Sequence, residues 1–79
     1  MTLTEAKEGQ KVVITGTGSD EITWQALRFG IEEGTVVQVE KNIPGGPVII
    51  SKSHLEIAIG REIAQAIEVI AASAGVHAY

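Results

Sequence analysis

The chain of 79 residues contains no cysteine. A disulfide framework and a thiolate metal site are therefore both excluded, and whatever holds so short a chain together must come from packing or association. Aromatic residues are almost as scarce, with one Trp, one Tyr and one Phe. A proline-peptide groove of the ordinary kind needs several rings side by side, so that activity is not expected. Only two histidines are present, His54 and His77, about two dozen positions apart. They define neither a metal site, which needs three or four ligands at workable spacing, nor the converging groups of acid-base catalysis.

Basic residues are also few, six against ten acidic, for a net charge of −4. Lys7, Lys11, Arg28, Lys41, Lys52 and Arg61 are scattered along the chain, whereas neutralising nucleic-acid phosphates takes a basic patch or stripe. No apolar run approaches the ~20 residues that span a bilayer, and no positive flank leads into an apolar stretch at the start. What is present is ordinary globular material: 44% apolar and 20% charged residues, enough to fold one compact unit. The expectation is a single domain over residues 1–79, with a core from about 3 to 70 and a glycine-broken, loosely ordered tail from 71 to 79.

Apolar alternation picks out the strands. Lys11 to Thr15 carries the buried run Val12-Val13-Ile14. Thr35 to Asn42 alternates Val37 and Val39 with Gln38 and Glu40, as a strand with one wet face does. Pro44-Gly45-Gly46-Pro47 turns the chain into Val48 to Lys52, making a hairpin. In Leu55 to Ile59, residues Leu55, Ile57 and Ile59 face one way, and Ile67 to Ile70 closes the set.

Two stretches break this rhythm. Ser19 caps a helix from about Asp20 to Phe29, with Asp20 and Glu21 in its first turn and Ile22, Ala26 and Phe29 on its buried face; Gly30 suits the left-handed residue that ends it. Arg61 to Ala66 reads as one helical turn before the last strand. The economical architecture is mainly β, a small SH3-like five-stranded barrel with one inserted helix, in which the sheet curls onto itself and limits its open edges; the main rival is an open α+β sheet with the helix packed on one face.

Candidate functional groups follow from this frame. His54 lies in a turn beside Ser53, where it is either an exposed polar residue or a group with a metal-binding or proton-transfer role. Glu32-Glu33 and Glu5/Glu8 read as solvated surface charge. Thr15-Gly16-Thr17-Gly18 and the Gly30 to Gly34 segment lack the lysine and spacing of a phosphate loop, and Asp20 and Glu21 would repel a phosphate at the helix mouth. Trp24 is the most informative aromatic. It points off the helix's buried face, near Leu27 and Arg28, and is either a cap on the end of a small core or an interface hot spot.

The order of motifs resembles the FeoA family. Lys11-Val12-Val13-Ile14 after Gly9, Leu27-Arg28-Phe29-Gly30-Ile31-Glu32-Glu33-Gly34, Val36-Val37-Gln38-Val39, Gly45-Gly46-Pro47-Val48, Ile57-Ala58-Ile59 and Arg61-Glu62-Ile63-Ala64-Gln65-Ala66-Ile67-Glu68-Val69 carry the likeness, from about Leu3 to Val69. The sequence departs from the family pattern at Ile43-Pro44, where the proline stands directly against the Gly-Gly pair, and at Gly60, which replaces a polar residue.

The resemblance implies an SH3-like domain in the cytoplasm that assists or regulates the membrane ferrous iron transporter FeoB, a GTPase, by protein contact. The same domain also occurs behind the DNA-binding part of iron- or manganese-dependent repressors; no such part precedes residue 1 here, so a free-standing accessory is expected. We therefore expect a non-enzymatic module without a cofactor, meeting the transporter's GTPase domain through Trp24, Gln25, Leu27 and Arg28 and through the loop of Pro44 and Pro47. The alternatives are a metal-responsive sensor that binds a divalent transition metal and a plain oligomer-forming domain.

Overall fold

The computed structural model describes residues 1–72. Five antiparallel strands form one sheet: β1 (Lys11–Gly16), β2 (Val36–Asn42), β3 (Val48–Lys52), β4 (Leu55–Ile59) and β5 (Glu68–Ala71), in the order β4-β3-β2-β1-β5. Helix α1 (Asp20–Leu27) is inserted between β1 and β2, and α2 (Arg61–Ala66) between β4 and β5. A 3-10 turn, Leu3–Glu5, precedes β1 and was not foreseen from the sequence. This is the mainly β, SH3-like architecture expected. The tail expected from residue 71 lies outside the described residues from 73 onward, while Ala72 donates its N–H to the carbonyl of Lys11 at 2.9 Å.

The core is the inward half of every strand. Val12 and Ile14, Val37 and Val39, Val48 and Ile50, Ile59 and Val69 are all buried, together with Leu3, Ile31, Ala64 and Ile67. Because side chains alternate across a strand, Val48, Ile50, Ile57 and Ile59 meet on one face, as the pairing of Ile50 with Ile57 and Val48 with Ile59 requires. The sheet is bent by irregularities in register between Ile14 and Gly16 and between Val39 and Lys41, which add local twist. Among the described residues β4 and β5 do not pair. The curl is completed instead by α2, which joins them in sequence and packs against the N-terminal 3-10 turn.

Turn chemistry matches the sequence in one of the two hairpins and strains against it in the other. In the β2–β3 loop, Gly46 N–H reaches the carbonyl of Ile43 at 2.8 Å, with Pro44 and Gly45 as central residues and Gly45 at φ +72°. Proline followed by a left-handed glycine is the signature of a type II turn. The β3–β4 turn is less comfortable: Lys52 pairs with Leu55 across only Ser53 and His54, at φ 50° and 71°. A two-residue turn with both residues left-handed is the type I′ turn, which Asn-Gly suits far better than Ser-His.

Candidate partner-binding surface

Helix α1 starts as its sequence dictates. The Ser19 hydroxyl accepts from Ile22 N–H at 3.3 Å, and Asp20 and Glu21 occupy the first turn. Its end differs from expectation. Regular helix stops at Leu27, Gly30 N–H bonds to the Leu27 carbonyl at 2.9 Å, and Ile31 N–H bonds to the Ala26 carbonyl at 3.0 Å, with Gly30 at φ +74°. These two bonds around a left-handed glycine form a Schellman motif, which carries Ile31 back into the core against Ala26. Phe29 therefore does not share the buried face of Ile22 and Ala26. It stands 42% exposed, and Ile31 takes the buried place that periodicity assigned to it. The Lys52 ammonium donates to the Gly30 carbonyl at 2.9 Å, tying this helix end to the tip of β3.

Ile22 packs on the core and Ala26 is buried, so Trp24, two residues from each, is turned outward and is 71% exposed. Of the two readings of this side chain, the core cap is excluded by that exposure. Gln25 and Arg28 line an open groove of about 470 Å³ together with Phe29 and with Ile63 of α2. Leu27, 40% exposed, lines a second groove of about 330 Å³ with Thr17, Thr23, Glu32 and Glu33. The hydroxyls of Thr17 and Thr23 are hydrogen-bonded to one another in its wall. The helix thus separates two shallow depressions of different character, one bearing a guanidinium and a phenyl ring, the other two carboxylates and an isobutyl group.

Pro44 is exposed and Pro47 half-buried in the β2–β3 loop. Among the described residues no hydrogen bond joins this loop to α1. The structure therefore gathers Trp24, Gln25, Leu27 and Arg28 on one helix and leaves the two prolines in a separate feature. That loop is held by a residue to which sequence reasoning assigned no role. Arg61 donates from Nε to the Gly46 carbonyl at 2.7 Å, and from Nη2 to the Ile43 carbonyl at 2.7 Å and to Asn42 Oδ1 at 2.6 Å. The Asn42 amide in turn donates to the carbonyls of Thr4 and Ala6, both at 2.8 Å. One guanidinium and one carboxamide thereby lock the loop, the start of α2 and the N-terminal segment together. The only sequence signal was an asparagine at a strand's end just before a proline-glycine turn, and its partner lies 19 positions away.

His54 is exposed in the β3–β4 turn, and among the described residues no three His, Asp or Glu side chains converge as a metal site would require. His77 lies outside the described residues. No helix among those residues is long and apolar enough to cross a membrane.

The family model for the FeoA domain matches residues 1–71. The chain belongs to the FeoA family. No curated protein matches it, but solved FeoA structures do. A crystal structure of an iron uptake regulatory protein, FeoA, is 26% identical, with 91% of this chain and 96% of that one covered and a TM-score of 0.82. The solution structure of FeoA from Chlorobium tepidum is 19% identical, covering 100% and 80%, with a TM-score of 0.77. A manganese-dependent transcriptional repressor shares the fold at 16% identity and a TM-score of 0.78, over 91% of this chain and 41% of the repressor. The FeoA domain ties the chain to ferrous iron transport, and one of the FeoA proteins it resembles is an iron uptake regulatory protein.

Proposed function

We propose that this FeoA-family chain is a cytoplasmic accessory protein of a ferrous iron transporter, acting by contact with the GTPase domain of an FeoB-type membrane protein and catalysing no reaction itself. The observation that carries the reading is Trp24. A tryptophan 71% exposed on a capped helix, with Leu27 and Arg28 one turn further along, leaves a large apolar surface in water beside a guanidinium. That pairing is the composition of an interface hot spot, and the domain gains nothing from it when alone.

The groove of Gln25, Arg28, Phe29 and Ile63 beside the helix supplies a depression for a partner side chain. Pro44, presented on a loop fixed by Arg61, supplies a second, rigid contact at no ordering cost. Titration calorimetry of the chain against the cytosolic GTPase region of such a transporter tests the reading. Trp24→Ala combined with Arg28→Ala should remove about 2 kcal/mol or more of binding, roughly thirtyfold in affinity. Wild-type affinity in the double variant would eliminate α1 as the contact surface.

A further inference from the structure

The two-residue β3–β4 turn fixes the hydrogen-bonding phase of β4. Across a type I′ turn the flanking residues form a closely bonded pair, so Lys52 with Leu55, Ile50 with Ile57 and Val48 with Ile59 exchange backbone bonds, and Ser51 with Glu56 and Ile49 with Ala58 do not. The β2–β3 side agrees, since the Pro47 carbonyl is turned toward β2, where it accepts from Ile43 at 3.2 Å. The N–H and C=O groups of Glu56 and Ala58 consequently point away from the sheet. Among the described residues neither has a backbone partner on that side, and both residues are exposed. Beside them Leu55 is 66% exposed on the sheet's inner face.

We infer that this edge pairs with the same edge of a second copy of the chain, antiparallel about a twofold axis through Ile57. The register follows from what each alternative places together. Centred on Glu56, the two like charges stand directly opposite, which is unfavourable. Centred on Ala58, Glu56 must pair with Gly60, whose carbonyl is already taken by Ala64 N–H at 2.9 Å.

Centred on Ile57, Glu56 of each copy faces Ala58 of the other, and each of these two pairs exchanges both of its outward bonds. All outward groups of the edge are then satisfied, and no carboxylate faces another. On the inner face Leu55 comes to lie beside Ile59 of the second copy and Ile57 beside its counterpart, covering the most exposed aliphatic side chain of the sheet. An isologous contact of this kind closes on itself and stops at two copies.

Sedimentation equilibrium of the full chain over a concentration series, read with amide hydrogen exchange, tests the inference. A dimer should form as concentration rises, with the Glu56 and Ala58 amides slowing in step. Ala58→Pro removes one outward donor and none of the bonds to β3, and the chain should stay monomeric. Leu55→Lys should weaken association about tenfold or more; it decides the matter alone if the proline variant does not fold. A chain monomeric throughout the series overturns the inference. So does a dimer in which those two amides exchange as in the monomer, or one that both substitutions leave intact. Protection of the same amides that requires an FeoB-type GTPase region, and not higher concentration, would give the edge to the transporter and equally overturn it. Trp24→Ala with Arg28→Ala leaves β4 untouched and should not change self-association, so this test and that of the proposed function fail separately.

Discussion

The two edges of the sheet are treated in opposite ways. At β5 the outer side is dressed by the chain's own beginning: Val69 N–H donates to the Met1 carbonyl at 2.7 Å, Leu3 N–H donates to the Ile67 carbonyl at 2.9 Å, and Leu3 is buried. Thr2 bridges to Glu68, and the Glu5 carboxylate accepts from Thr2 N–H at 2.7 Å, holding the 3-10 turn in place. At β4 nothing comparable happens among the described residues, although that strand is only one residue longer. An unpaired strand edge is a template for further pairing, and sequences commonly guard it with lysine, proline or a bulge. Here only Glu56 stands guard, and its placement opposite an alanine lets a second β4 approach. The contrast teaches that leaving an edge open is a choice a chain of this size can avoid, because three residues suffice to cover the other one.

The comparison can be broken from the covered side first. Leu3→Ala empties a fully buried site and should cost about 3 kcal/mol in urea unfolding, with faster exchange of the Val69 amide. A cost below that of a surface substitution would mean that the N-terminal segment does not close the β5 edge. Next in size, Arg61→Ala strips the donor from Gly46, Ile43 and Asn42, and should cost about 1.5 kcal/mol because those acceptors are partly open to water. Faster exchange at Gly46, measured by NMR, would localise that loss to the β2–β3 loop.

On the bare side, replacing Ser53-His54 by Asn-Gly should stabilise the fold by about 1 kcal/mol, since two left-handed non-glycine residues are relieved. Because the turn lies outside the outward groups of Glu56 and Ala58, self-association measured by sedimentation should be unchanged. The smallest effect is expected at Trp24, where alanine should shift stability by less than about 0.5 kcal/mol in a thermal melt, in contrast to its effect on partner affinity.

Most of the sheet was legible in the sequence because burial imposes period two. Val37 and Val39 against Gln38 and Glu40, and the proline-glycine loop before Val48, locate β2 and β3 almost to the residue. Alternation was less informative in β4. It places Leu55, Ile57 and Ile59 on one face, yet burial falls from complete at Ile59 to slight at Leu55, since the strand runs out past the end of the core. Phe29 was misplaced because helical phase was carried two residues past the end of regular helix at Leu27, into the Schellman bend that closes at Gly30. The N-terminal cover was invisible: a turn of three residues has no period to detect. The Arg61–Asn42 lock was equally hidden, since its partners meet only after the sheet has formed. For the candidate surface, helix phase sufficed to turn Trp24 outward, whereas the groove beside it needed Ile63 from a helix more than thirty positions away.

Trp24 has a practical corollary. It is the sequence's single indole, and it is bathed by solvent in the native fold. Its emission should already sit near that of indole in water and yield readily to collisional quenchers such as acrylamide. Denaturation, which merely exchanges one aqueous environment for another, should leave the signal almost flat. Engagement of α1 should shift it to the blue and shield it from quencher. The protein thus carries a built-in optical reporter that is nearly blind to unfolding and sensitive to docking.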